Sequence, residues 1–226
     1  ALVSIAIIAA IFYFVDFQAM WNFIRTADYR ILSGSVVLSF VWMFIRAKVW
    51  QTLLRDRPKY VDVLFAASEG YLLNAFLPFR LGEIGRAFLL SRKSDMTFSE
   101  ILPTIVIERV VDLVFSAAFL ILGLTYVSDT QGSEKIGYIV GGVMILGIVM
   151  MYVLARNRQW ALDVFHKFSK RWPVVQKLGG SFLESFLDGL GVLTDGWLFL
   201  RFMFWMTLDW FVALVAYYLI TLAFFP

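Results

Sequence analysis

The sequence predicts an all-α, polytopic helical membrane protein with a re-entrant helical hairpin. Three observations lead there. Of 226 residues, 61% are apolar and only 16% are charged, against roughly 45–50% and about 25% in a soluble domain. Apolar runs near the ~20 residues of a spanning helix recur along the chain. No alternating pattern is long enough for a β-barrel. With 23 phenylalanines and 8 tryptophans, the chain has more large apolar side chains than a soluble core of this size encloses. This composition excludes a disordered chain, a soluble enzyme domain and a nucleic-acid reader with a basic surface. The 20 basic and 17 acidic residues leave a net charge of only +3, so the placement of charge matters more than its total.

One transmembrane domain is expected over 1–226, truncated at both ends. Residues 1–15 lack the basic start of a signal peptide and read as the remainder of a first span. Residues 31–54 form the second span. Residues 61–79 are apolar but interrupted by Glu69, Gly70, Asn74 and Pro78. Residues 101–127 form a long span carrying Glu108, Arg109 and Asp112. Residues 136–155 are a clean span, with Gly137-x-x-x-Gly141 as a helix-packing face. Residues 159–193 mix apolar and charged positions at helical spacing and read as cytoplasmic interfacial helices, divided at Pro173 and at Gly179-Gly180. There Trp160, Leu162, Phe165 and Phe168 would face lipid. Residues 197–225 form the last span, with Arg201 and Asp209 inside it.

Positive loops set the orientation. Arg55, Arg57 and Lys59 place 55–59 in the cytoplasm, as do the many cations of 156–177. Residues 16–30 and 128–135 fit the outside, so the N-terminus of this segment is cytoplasmic. Arg92 and Lys93 must also lie inside, because the next span leaves from there. Residues 61–91 must therefore enter and return on the same side. The stretch is too short for two helices of about 20 residues. Two half-helices fit, about 61–76 and 82–92, with the turn at Leu77-Pro78-Phe79-Arg80. Such a hairpin survives at membrane depth only where protein or water satisfies its backbone.

Two groups of residues could carry function. The first runs from Asn74 to Arg86. Arg80, Glu83 and Arg86 sit at the tip and first turn of the second half-helix. Free N–H groups and a positive dipole end point outward there. Two guanidinium forks beside them suit a phosphate. The alternative is an ion-pair lock that only holds the hairpin. The second group is Glu108, Arg109 and Asp112, with 108 and 112 on one helix face. Its net charge of −1 would balance the +1 of the first group, which a low dielectric favours. Glu69 is expected to be buried near the hairpin. Arg46 and Lys48 are close enough to the cytoplasmic end to snorkel. Asp209 either pairs with Arg201 or lines a cavity. The chain has no cysteine, and its one histidine, His166, falls in the surface segment. No metal, no cofactor and no catalytic residue is expected, since no nucleotide, zinc or hydrolase motif is present.

The pattern Asn74…Leu77-Pro78-x-Arg80-x-Gly82-Glu83-x-x-Arg86, followed by Glu108-Arg109-x-x-Asp112, resembles a known family. It is the flippase-like transmembrane region of lysyl-phosphatidylglycerol synthase, or multiple peptide resistance factor. The resemblance implies a polytopic helical fold with re-entrant segments in the cell membrane. It also implies movement of aminoacylated phospholipid, such as lysyl-phosphatidylglycerol, between leaflets, and a link to antimicrobial peptide resistance. Arg80, Glu83, Arg86, Glu108, Arg109 and Asp112 would be substrate-binding residues, with Asn74 beside them. A later proline- and glycine-rich motif with a glutamate would follow Pro226. The aminoacyl-transferring domain is not in this segment, so no lysyltransferase activity is expected of it alone. The expected partners are membrane phospholipid, a soluble synthase domain on the full chain, and a second copy of the chain, with no nucleic acid. Two other readings stand beside the translocase. One is the membrane part of a lipid-modifying transferase, with Glu83 or Glu108 as base. The other is a non-transporting anchor for such an enzyme.

Overall fold

The computed structural model describes residues 17–126, 133–169 and 173–225. These are helical almost throughout, with no strand among the described residues. The helices are α1 (Phe17–Thr26), α2 (Tyr29–Leu53), α3 (Tyr60–Phe76), α4 (Leu81–Lys93), α5 (Phe98–Tyr126), α6 (Ser133–Arg156), α7 (Arg158–Ser169), α8 (Pro173–Leu190) and α9 (Gly196–Phe224). Among the described residues, α2 and α9 are long and apolar enough to cross a membrane. The first expected span, 1–15, lies outside the described residues. Within residues 16–30, which the charges place outside the membrane, 17–26 form α1. Its exposed Phe17, Met20 and Trp21 explain this, because an amphipathic face is as compatible with a helix as with a polar link.

The chain divides into two compact units. One holds α1, α2 as far as Trp42, and α9 from Phe211; the other runs from Met43 to Trp210. In the first, Asp28 starts α2 by accepting from the Arg30 N–H at 2.8 Å, which satisfies a donor left over at the helix end. The Asp28 N–H donates to the Ala223 carbonyl at 2.8 Å. Ser35 Oγ donates to the Ala216 carbonyl at 3.0 Å. These contacts pair the start of α2 with the end of α9 in antiparallel register.

In the second unit, two apolar clusters share helices. Val49 and Leu53 of α2 join Ile107 and Val111 of α5, Leu187 and Leu190 of α8, and Phe202 and Met206 of α9. Ala47, Trp50 and Leu54 of α2 face the other way, onto Ala66 and Ala67 of α3, Leu90 of α4 and Ile101 of α5. Thus α2 and α5 present apolar residues on two faces, as helices enclosed by others do. The α5 start is a capping box. Thr97 N–H donates to Glu100 Oε2 at 2.7 Å, and Glu100 N–H donates to Thr97 Oγ1 at 3.3 Å; each satisfies the other's orphan donor.

The stretch 61–91 is a helical hairpin, made of α3 and α4. Pro78 stops α3, because the residue before a proline avoids helical backbone; Leu77 is extended, with φ −99° and ψ 136°. A single 3₁₀ turn, Pro78–Arg80, then leads into α4. Small residues let the two helices approach closely. A Cβ on Gly70 would lie 2.7 Å from Arg86 Cβ, and one on Gly82 would lie 2.6 Å from Asn74 Oδ1 and closer still to the Gly70 carbonyl.

Three local expectations need correction. Gly179-Gly180 does not divide the surface segment, since α8 runs through it. A Cβ on Gly179 would lie 2.7 Å from the Phe165 ring, so the glycines make room for α7 rather than break a helix. Accordingly Phe165 packs on α8 and Leu162 is buried, while Trp160 (58%) and Phe168 (82%) stay exposed. Glu69 is not enclosed; it pairs with Lys93 at 3.6 Å with both side chains about two-fifths exposed.

Replacing Gly82 with alanine should destabilise the hairpin, because the nearest obstacle is backbone and cannot swing away. We expect a loss of about 1–3 kcal/mol, read as a lower melting temperature in detergent. Gly142→Ala, with nothing within 4 Å of the new Cβ, should change stability by less than about 1 kcal/mol. Equal melting temperatures for Gly82→Ala and the native protein would refute the packing argument.

Candidate functional site

Four helices of the second unit bring charged side chains to one place, and a fifth adds a phenol. Arg46, from α2, is at the centre. Its Nη2 lies 2.7 Å from Glu108 Oε1, its Nη1 lies 3.0 Å from Asp209 Oδ2, and it also pairs closely with Asp112. Its Nε donates to Tyr71 Oη, from α3, at 3.2 Å. Arg86, from α4, pairs with Glu108 Oε2 at 3.1 Å and with Glu83 at 3.0 Å. Arg109 completes the net with Glu83 at 3.0 Å, Glu108 at 3.1 Å and Asp112 at 3.1 Å. Arg46, Arg86, Glu108 and Asp209 are all buried, Glu108 completely.

Each charge sits where its helix needs no distortion. Glu108 and Asp112 are four apart on α5 and share a face, and Arg109 reaches Asp112 at i,i+3. Glu83 and Arg86 have the same i,i+3 relation on α4. The Arg86 guanidinium lies over the Trp50 ring, 4.6 Å from its centroid. That face is attractive to a cation, and Trp50 is itself fixed by donating to Thr104 Oγ1 at 3.0 Å.

Charge does not balance inside the net. Three arginines, Arg46, Arg86 and Arg109, face four carboxylates, Glu83, Glu108, Asp112 and Asp209. The cluster has one more carboxyl group than guanidinium groups, in a place where dielectric screening is weak. Glu83 and Asp112 are its more open members, with side chains 14% and 16% exposed.

Of the residues singled out from the sequence, Glu83, Arg86, Glu108, Arg109 and Asp112 meet in this net. Arg80 does not. It occupies the hairpin turn with left-handed backbone, φ 55°, is exposed, and makes no ion pair among the described residues. The expected neutral pairing of the two groups therefore fails by one charge, because Arg80 stays at the tip. Asn74 lies against Gly82, and its Oδ1 is buried without a hydrogen bond.

Two further members, Arg46 and Asp209, were misread. Arg46 does not snorkel; three carboxylates, those of Glu108 and Asp209 buried, hold it more strongly than water beyond the helix end would. Asp209 takes Arg46 rather than Arg201, which pairs closely with Asp56. Charge counting contained the signal. Once the hairpin and α5 groups are matched, Arg46 and Asp209 are left as one cation and one anion within apolar helices. Lys48 instead pairs with Asp56 at 3.3 Å. Among the described residues, no cluster of histidine, aspartate or glutamate could hold a metal ion.

The family whose sequence pattern matches is described as Lysylphosphatidylglycerol synthase TM region, over residues 1–225. The chain belongs to this family. No curated protein and no solved structure matches it. Membership in the lysylphosphatidylglycerol synthase transmembrane-region family, together with α2 and α9, makes this a membrane protein. It is consistent with a role connected with membrane lipid.

Breaking the net at its most buried member should be costly. Glu108→Gln leaves Arg46 and Arg86 facing each other across a neutral group, and we expect a loss of about 3–5 kcal/mol. The Arg158–Asp188 pair has side chains 49% and 57% exposed, so Arg158→Ala should cost under about 1 kcal/mol. Thermal unfolding in detergent separates these outcomes; similar melting temperatures for the two variants would contradict the ranking.

Proposed function

We propose that the chain is a multi-pass phospholipid translocase region of the cell membrane that binds its lipid at the tip of the α3–α4 hairpin. The spans are those read from the sequence, the N-terminus of the segment is cytoplasmic, and the hairpin re-enters from the cytoplasmic side. The observation that carries this reading is Arg80. It is exposed and unpaired among exposed apolar side chains, Leu72, Phe76, Leu77, Leu81 and Ile84. A lone guanidinium among groups suited to lipid tails is costly without an anion. A phospholipid supplies both the anion and the tails.

The net beside it suits the rest of an aminoacylated headgroup. Arg80 takes the phosphate through its fork. The more open carboxylates, Glu83 and Asp112, attract the lysyl amines. Arg86 then acts as the lock that keeps α4 on α5, and Arg80 as the lipid contact. The transferase reading asks Glu83 or Glu108 to act as a free base, whereas both are held by arginines. A soluble synthase domain on the full chain would supply the lipid to this site.

Two experiments test the proposal. In vesicles holding the complete protein, outer-leaflet aminoacylated lipid is followed over time. Arg80→Ala should slow its appearance about tenfold, and Arg80→Lys should slow it less, since charge is kept and the fork lost. A normal rate for well-folded Arg80→Ala removes Arg80 from the site. Separately, the chain has no cysteine, so Asp62→Cys and Lys93→Cys can each be labelled alone. Both should react from the cytoplasmic side; labelling of the two from opposite sides rules out a re-entrant hairpin.

A further inference from the structure

A second place in the fold holds an arginine without a partner. A cavity of about 110 Å³ opens where the end of α2, the start of α5 and the end of α8 meet. Its polar lining is Arg55, Arg57, Glu100, Thr104, Ser185 and Asp188. The volume is well above the roughly 10–15 Å³ that one water requires.

Most of that lining is already satisfied. Arg57 donates to Glu100 at 3.0 Å, and Asp188 is held by Arg158 at 3.1 Å. The Thr104 and Ser185 hydroxyls donate to backbone carbonyls at 2.7 and 3.0 Å. Arg55 has no ion pair and no side-chain hydrogen bond among the described residues. Two cations and two carboxylates line the cavity, and with the carboxylates held by Arg57 and Arg158 the exposed Arg55 guanidinium is left as an open fork.

The backbone shows that this arginine is held at a strained position. The Arg55 N–H bonds the Thr52 carbonyl and the Asp56 N–H bonds the Gln51 carbonyl, both at 3.0 Å. This is a Schellman ending of α2, whose left-handed position usually takes glycine. Here Arg55 has φ 56° and Asp56 has φ 53°, a conformation that strains a residue carrying a Cβ. On the far side, the chain has a glycine where the guanidinium needs space. A Cβ on Gly191 would lie 2.5 Å from Arg55 Nη2.

We propose that this cavity is a phosphate-binding site, with the Arg55 fork as the recognising group and Gly191 as the residue that admits it. The chemistry is that of a tetrahedral phosphate oxyanion taken by a bidentate guanidinium. Two sources present it: the phosphodiester of a lipid headgroup, and free inorganic phosphate. In the orientation proposed above, the site lies at the cytoplasmic surface, where both are found. It is separate from Arg80 and does not depend on the hairpin's role.

The test uses the complete protein carrying Arg80→Ala, so that the hairpin adds no signal. In phospholipid-free detergent it is titrated with inorganic phosphate by calorimetry. Saturable binding is expected. Adding Arg55→Ala should weaken it about tenfold or more. Adding Gly191→Ala should weaken it by less, because the guanidinium is the end of a flexible side chain that moves aside with its charge intact. The titration is then repeated in nanodiscs of phosphatidylglycerol. Loss of phosphate binding there identifies the lipid headgroup as the occupant, and unchanged binding identifies soluble phosphate. Absence of saturable binding in detergent, or binding unaltered by both Arg55→Ala and Gly191→Ala, overturns the proposal.

Discussion

Arg46 places a full positive charge inside α2, and its carboxylate partners come from two other helices. A guanidinium removed from water costs several kcal/mol unless every side of it meets an acceptor. Glu108 and Asp112 on α5 and Asp209 on α9 provide those acceptors, with Tyr71 on α3 closing the remaining edge. None of these helices can rotate or slide along its axis without uncovering a buried charge. Apolar packing alone would permit such sliding, because lipid tails are as apolar as the side chains they would replace. The charged net therefore sets the register of the helices that surround it.

The hairpin is attached to this net by Arg86 and Glu83 of α4 and by Tyr71 of α3. Arg86 lies across from Gly70 of α3 and reaches Glu108 on α5. Small residues permit the approach and the ion pairs fix it. Toward the tip the hairpin exposes apolar side chains around Arg80, which has no ion pair among the described residues. Among the described residues, three that are not glycine have left-handed backbone: Arg55, Asp56 and Arg80. Two of them are arginines without an ion pair. Strain of this kind persists where the surrounding structure over-determines it and is concentrated at functional positions. The same association of strain and open charge occurs at Arg55 and at Arg80.

Much of the architecture was legible in the sequence, for identifiable reasons. Pro78 and the apolar interruptions at Glu69, Gly70 and Asn74 located the turn, and α3 and α4 end within a residue or two of the expected limits. Long apolar runs located α2, α5, α6 and α9, since helix length and composition are local properties. Partner choice is not local. Arg46 and Asp209 lie 163 residues apart, and no spacing rule relates them; only the balance of charges could have paired them. The glycines of α8 were misread for a similar reason. A glycine that breaks a helix and one that admits a neighbouring ring look alike until the neighbour, Phe165, is in place. Arg80 and Arg86 also looked equivalent. Only the fold separates an arginine on the α5-facing side from one in the turn.

The account rests on the claim that Arg86 and Glu108 act as a coupled buried pair. A double-mutant cycle measures this directly, with Arg86→Met, Glu108→Leu and the combined variant compared by unfolding free energy in detergent. Each single change leaves a buried charge exposed to low dielectric, whereas the combination removes both. The predicted result is that the double variant is more stable than the sum of the single losses implies, by about 2 kcal/mol or more. Losses that simply add would contradict it, and would mean that the two side chains stand near each other without holding the hairpin in place.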